Sequence, residues 1–384
     1  MIALTARELC TPLRSIPEPL VLIEEGRIAE VSSRETREVP TGARLIDYQD
    51  AILAPGFIDI HIHGGAGHDV MEADPAALPA VESLIAKHGV TAYLPTTVSA
   101  PLEQTLAALD RLAVAIEKGS ADPRKDRARP LGIHLEGPFI SHAKRGVHPM
   151  EHLLAPSVTL FDRFWQAARG RIKMMTMAPE LGGAIEVIAE AARRGVCVSL
   201  GHSDADTKSA RAGVAAGARH ATHAFNAMRP LDHREPGITG EMLTNLQLTA
   251  DIIADGIHVD PAMVQLFLKA KDPEGAVLIT DATAAAGMPD GRYRLGSLDV
   301  EVKDGRCMAG GKLAGSTLTM DRAVCNVMRF ANWGLQTALR LASLNPARVA
   351  GLPGRGEIKP GCEADLVVLT ASGEVKAGII GGLW

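Results

Sequence analysis

In the stretch FIDIHIHGG, Asp59, His61 and His63 alternate with Ile58, Ile60 and Ile62. Successive side chains of a strand point to opposite faces, so the three polar residues would share one face and the isoleucines the other. Two imidazoles on one strand face can hold a metal ion, although an isolated HxH is equally compatible with structural histidines. Further chemistry-bearing residues lie at the ends of similar apolar runs. Glu136 follows LGIHL, His202 closes VCVSLGH, His223 lies in HATHAFN and Asp281 follows AVLIT. Neutral imidazole with carboxylate is a donor set suited to zinc, iron or a similar divalent ion. A buried glutamate without an ion or partner would be costly. Brought together, these residues predict a metal centre; left apart, each is an independently hydrogen-bonded polar residue.

What could bring them together is the alternation of the chain. Apolar runs recur at 57–63, 90–97, 131–139, 171–178, 196–202, 220–226, 248–257 and 276–282, with Ala-, Leu- and Glu-rich stretches of helical period between them. Such alternation implies a parallel sheet, and eight strands over about 225 residues fit an α/β fold of the (β/α)8, TIM-type barrel kind. Barrel enzymes build their sites at the C-terminal ends of the strands, where these residues fall. A doubly wound open sheet is the alternative, but no GxGxxG follows the first strand. Two intervening helices carry end signals. The segment 101–118 begins with Pro101 at an expected first turn, and 182–194 stops at Gly195. The ends of the chain read as short strands around Gly and Pro, in LVLIEEGRIAEV and RGEIKPGCEADLVVL. Each piece has too few strands to be stable alone, so the two are expected to pair. The expected organisation is a small β-sandwich domain from 1–55 and 346–384, beside a catalytic barrel over 56–345.

Composition narrows the function class. The chain has 384 residues, with 40 Lys and Arg against 45 Asp and Glu, a formal charge of −5. No global basic field points to nucleic acid. No apolar run approaches a membrane span, and Arg7 and Glu8 interrupt any signal-peptide core, so a cytoplasmic protein without a membrane partner is expected. Five cysteines, odd in number and without CxxC spacing, argue against a disulfide framework or thiolate zinc site.

The strings PGFIDIHIHGG, HLEGPFI, RGVHP, GHSDA, THAFNAM, REPG, DGIHVD, TDA and LAGS occur here in one order. In this the chain resembles the N-acetylglucosamine-6-phosphate deacetylases of the amidohydrolase superfamily, over nearly its whole length. The resemblance implies a barrel with a terminal β-sandwich, usually a homodimer, that converts N-acetylglucosamine 6-phosphate to glucosamine 6-phosphate and acetate. It implies Glu136, His202 and His223 as principal metal ligands and Asp281 as the catalytic acid/base. His61 and His63 would complete a second metal position. Members of the family differ in this pair, so one ion or two stays open, with zinc expected first and iron or another transition metal as alternatives. The carbamylated lysine of other binuclear amidohydrolases has no candidate at a strand end, which leaves Glu136 available as a bridge.

An amide resists hydrolysis because water is a poor nucleophile and an amine a poor leaving group. A bound divalent ion acidifies its water and polarises the acetyl carbonyl; by the resemblance, Asp281 would take the proton and return it to the sugar nitrogen. His148, in RGVHP, would contact the substrate and donate to the developing oxyanion. Arg234 and His258 are expected to hold the phosphate. Val147, Asn226, Ala227, Asp255, Leu313, Ala314 and Gly315 complete the implied contacts with this small-molecule amino-sugar phosphate.

Other features read more plainly. Ser203 in GHSDAD is expected as a helix cap, since no GxSxG elbow exists. The glycines of HGGAG would let the backbone pass close to metal or substrate. His134 shares a face with Glu136 and is expected as its support or as core. GGKLAGST is not a phosphate loop, because Leu313 stands where Ser or Thr is needed. His68, His88, His142, His152, His220 and His233 receive no role. Two rival functions remain: another amidohydrolase, such as a D-aminoacylase or cyclic-amide hydrolase, and a non-catalytic sugar-phosphate sensor. A proton shuttle at Asp281 argues against the sensor, because binding alone does not need one.

Overall fold

A computed structural model describes residues 1–121 and 126–383; Trp384, the last residue of the expected terminal piece, lies outside it. Eight parallel strands form the central sheet: Phe57–Ile62, Val90–Thr97, Ile133–Glu136, Ile172–Met177, Cys197–Leu200, His220–Ala221, Thr249–Ile253 and Ala276–Ile279. Each pairs in parallel with the next. Nearly every strand residue is buried, as expected when side chains pack inside the barrel on one face and under helices on the other. The first and eighth strands meet through a parallel bridge between Ile62 and Ala282. There the amides of His63 and Gly64 donate to the Ala282 carbonyl at 2.8 and 3.0 Å, and the Asp281 amide donates to the His61 carbonyl at 2.9 Å. Closing the barrel therefore joins the HxH end of the sequence to Asp281, 218 residues away.

The helices depart slightly from expectation. Leu102–Ala121 begins one residue after Pro101, whose carbonyl accepts from the Thr105 amide at 3.0 Å. Pro101 thus occupies the cap, not the first turn. Ala184–Arg193 is followed by Arg194 and then Gly195 at φ +79°, the left-handed geometry that ends a helix cheaply only at glycine. Ser203 is not the cap of Thr207–Ala216; Asp206 is, accepting from the Ser209 amide at 2.7 Å. Ser203 Oγ donates to Glu180 Oε2 at 2.7 Å and accepts from the Ala205 amide at 3.0 Å. It secures the turn that follows His202.

Strands from both ends of the chain build the separate β domain. One sheet runs in the order Arg27–Ser33, Pro19–Glu24, Ile2–Thr5, Arg44–Asp47. The other runs Val375–Ile379, Leu366–Leu369, Ile52–Pro55, Glu8–Cys10, Ser15–Pro17. Leu4, Val21 and Ile23 of the first sheet pack with Leu53, Leu366 and Val368 of the second in one buried core, so neither terminal piece buries its apolar face alone. Arg129 joins this domain to the barrel through Asp365 at 2.5 Å.

One element lies outside the sequence expectation. Gly291–Leu295, Leu298–Lys303, Arg306–Ala309 and Lys312–Leu313 form an antiparallel sheet after the eighth barrel strand. Its apolar side, with Leu295, Val300, Val302 and Ala314, packs on Val98 and Val147 and so covers the barrel mouth. Among the described residues no helix is long and apolar enough to cross a membrane.

Candidate metal centre

Glu136 ends the third barrel strand, buried, and five imidazoles surround its carboxylate. Oε1 lies 3.4 Å from His61 Nε2, 3.2 Å from His202 Nε2 and 3.2 Å from His223 Nε2. Oε2 lies 3.3 Å from His63 Nε2 and 3.4 Å from His148 Nε2. Asp281 Oδ1 stands 3.2 Å from His63 Nε2 and 3.6 Å from His61 Nε2. The six residues singled out from the strand ends, Glu136, His61, His63, His202, His223 and Asp281, thus converge within one site.

Three of them sit in backbone geometry that non-glycine residues rarely adopt: φ is +47° at His202, +32° at His223 and +50° at Asp281. Such conformations cost on the order of 1–3 kcal/mol each and persist where surrounding bonds hold them. The His223 amide is held by Asp251 Oδ1, whose Oδ2 also meets His220 Nε2 at 2.9 Å. Asp251 and His220 are fully buried. His220, without an expected role, therefore anchors the residue that fixes His223. Ser316 donates its amide to the Asp281 carbonyl at 2.7 Å. That approach needs Gly315, at φ +59°, because a Cβ there would fall 2.8 Å from the same carbonyl.

The electrostatics ask for a cation. Burial alone would raise the Glu136 carboxyl, but the His61 charge and hydrogen bonds from His148, His202 and His223 hold it well below its usual range. Burial also raises Asp281, and the His61 and His63 charges outweigh it, bringing the carboxyl to about 2. Two ionised carboxylates inside a closed barrel must be neutralised. Burial pushes His63, His202 and His223 toward neutrality. Against it, hydrogen bonds to Asp281 and Glu136 raise His63 well above its usual value, Glu136 brings His223 up to about 9, and His202 falls to about 4. A raised imidazole and a divalent ion answer the same demand for positive charge beside Glu136 and Asp281. His202 Nε2 and His223 Nε2 face each other at 3.0 Å, and His61 Nε2 and His63 Nε2 at 3.3 Å. Ring nitrogens this close could share a cation between them. His61 with His63 and Asp281, and Glu136 with His148 and His202, form two clusters whose donor atoms lie within 4.8 Å of one another. The residues present fit a divalent metal.

A cavity opens over this centre. His63, Glu136, His202, His223 and Asp281 form its floor with His148, while His61, wholly buried, lies beneath. Its walls carry the other sequence candidates Val147, Asn226, Ala227, His258, Leu313 and Gly315. Three candidates are placed elsewhere. Asp255 rests on His258, accepting from Nδ1 at 2.7 Å and from the His258 amide at 2.8 Å. Ala314 is buried in the core of the covering sheet. Arg234 is exposed and lines a separate cleft with Glu180, Asp204 and Arg229. His134 is fully buried and its ring bonds run to other strands: Nδ1 meets the Ile60 carbonyl at 3.0 Å and Nε2 meets Thr176 Oγ1 at 2.8 Å. Leu295 and Val98 also line the cavity and escaped the sequence reading, since an apolar wall residue has no chemical signature.

The amidohydrolase family profile matches residues 52–384. The human N-acetylglucosamine-6-phosphate deacetylase is 40% identical over 376 residues, covering 94% of this chain and 90% of that protein. The N-acetylgalactosamine-6-phosphate deacetylase of Escherichia coli O157:H7 is 38% identical over 376 residues, covering 97% and 96%. Among solved structures, a variant N-acetyl-D-glucosamine-6-phosphate deacetylase from Mycobacterium smegmatis, in complex with N-acetyl-D-glucosamine-6-phosphate, superposes with a TM-score of 0.93. It is 35% identical and covers 100% of this chain and 98% of its own.

Proposed function

Because the chain belongs to the amidohydrolase family, we propose that it is a metal-dependent amide hydrolase that removes the acetyl group of N-acetylglucosamine 6-phosphate, giving glucosamine 6-phosphate and acetate. The observation that carries this reading is the meeting of Glu136, His202 and His223 at 3.0–3.2 Å beside Asp281, in a chain closely similar to deacetylases of that substrate.

Glu136, His202 and His223 would hold a divalent ion, zinc first, and His61 with His63 a second. Bound there, such an ion supplies Lewis acidity, polarising the acetyl carbonyl and acidifying a water. Asp281 Oδ1 accepts the water's proton and afterwards delivers it to the departing sugar nitrogen. His148 Nε2 donates a hydrogen bond to the oxygen that gains charge on the acyl carbon. Leu295, Leu313 and Gly315, brought by the covering sheet, wall the cavity and exclude water around the sugar. His258, braced by Asp255, faces the cavity as a phosphate donor, with Asn226 and Ala227 beside it. Arg234 lines another cleft, so within this reading it reaches phosphate only from a second copy, in keeping with a homodimer. The setting is cytoplasmic, consistent with five free cysteines.

The test is to incubate the metal-loaded protein with N-acetylglucosamine 6-phosphate, its galactosamine epimer and the non-phosphorylated parent, measuring free amine and acetate. Stoichiometric release from a phosphorylated sugar, and far slower release without phosphate, is expected. Equal turnover with and without phosphate would remove the sugar-phosphate assignment in favour of a general amide hydrolase.

A further inference from the structure

Five imidazoles crowd Glu136, but the second ring nitrogen separates three of them by role. His63 Nδ1 meets the Thr96 carbonyl at 3.0 Å, and His202 Nδ1 meets the Lys144 carbonyl at 3.0 Å. A carbonyl only accepts, so in both rings Nδ1 carries a proton, and once an ion displaces any proton from Nε2 that nitrogen offers its lone pair, as a metal ligand requires. His148 has the reverse arrangement. The Ser99 amide donates to His148 Nδ1 at 3.2 Å, and Ser99 Oγ lies 2.8 Å from the same nitrogen. A backbone N–H only donates, so Nδ1 is bare and the neutral ring carries its proton on Nε2. That nitrogen, 3.4 Å from Glu136 Oε2, has no lone pair left for a cation. Proximity alone groups His148 with Glu136 and His202 as a ligand cluster; its hydrogen bonds exclude it.

We propose that Ser99 is a positioning residue that locks His148 in the Nε2–H form, keeping it out of the metal shell and presenting a donor to the reacting oxygen. Three segments meet to make the lock. Ser99 lies two residues beyond the second barrel strand, His148 comes from the loop after the third, and both are buried. Between them Gly137, at φ +68°, leaves the room: a Cβ there would fall 2.6 Å from Ser99 Oγ and 3.7 Å from His148 Nδ1. The donor role rests on the function proposed above; the locked tautomer does not.

The test uses the zinc-loaded enzyme labelled with 15N-histidine, the His148 signals being those that vanish in His148→Gln. Nδ1 is expected at the shift of an unprotonated ring nitrogen and Nε2 at that of a protonated one. A protonated Nδ1 overturns the proposal whatever the activity. In parallel, Ser99→Ala removes one of the two groups at Nδ1 and is expected to lower kcat about three- to tenfold, with KM within about twofold and zinc content unchanged. Ser99→Thr, which keeps the hydroxyl, is expected to recover most of it. Loss of zinc from Ser99→Ala would make Ser99 structural and overturn the assignment. If Nδ1 is bare but His148→Gln keeps full kcat, the donor role under the proposed function falls while the locked tautomer stands.

Discussion

Replacing Asp281 by Asn removes a proton acceptor and almost nothing else. The two side chains have nearly the same shape, and the φ of +50° at this position is one that Asn tolerates as well as Asp. The backbone bonds that seat the residue, from its amide to the His61 carbonyl at 2.9 Å and from the Ser316 amide to its own carbonyl at 2.7 Å, do not involve the side chain. What changes is Oδ1, 3.2 Å from His63 Nε2 and 3.6 Å from His61 Nε2. It loses the charge with which it draws a proton and the ability to hand that proton on. A positioned acid/base contributes about 10²–10⁴ in rate, which at 1.36 kcal/mol per tenfold is about 3–5 kcal/mol of transition-state stabilisation. Glu136, His202 and His223 are untouched, so the metal they would hold should stay. Amine release from N-acetylglucosamine 6-phosphate, read alongside metal content by mass spectrometry, is therefore expected to fall at least a hundredfold at full metal occupancy. A kcat within threefold of the parent, with metal retained, would refute the proton-transfer role. A variant that lost its metal would show Asp281 to be chiefly a ligand.

Glu136→Gln should behave oppositely, since the neutral amide no longer draws five imidazoles inward; metal affinity is expected to drop by more than about tenfold, measured by competition with a chelator. His258→Ala removes the donor braced by Asp255 and should raise KM for the phosphorylated sugar about tenfold or more while changing turnover of the non-phosphorylated parent little, read from steady-state kinetics on both. Glu82 tests stability far from the site. Burial lifts its carboxyl to about 7, against the opposing hydrogen bond from Tyr93 and the Arg127 charge. The folded state therefore holds a proton that the unfolded chain releases near 4.5. Stability conferred by the neutral form is present below that value and lost as pH rises towards 7, by up to about 3 kcal/mol. Glu82→Gln, neutral throughout, should flatten that decline between pH 4.5 and 7 in thermal melts; an unchanged slope would show that Glu82 is not the group responsible.

Residue type and spacing settled much of this protein. The β-branched runs ending in Glu136, His202 and Asp281 marked strands whose polar termini share one rim, because the chemistry of a barrel site is written at strand ends and the strands themselves are continuous apolar segments. The alternation in FIDIHIH put His61 and His63 on one face for the same local reason. What the sequence could not show is which atom of each ring faces which partner. Only the closure of the first strand against the eighth joins His61 to Asp281, and only the folded loops set Ser99 against His148, Asp251 against the His223 amide and Arg234 in a cleft of its own. The covering sheet at 291–313 belongs to the same class, since its wall residue Leu295 carries no chemical mark until packing places it over the cavity. Local pattern determines which residues can do chemistry; their protonation and reach depend on hydrogen bonds between segments scores of residues apart, and those exist only once the barrel has closed.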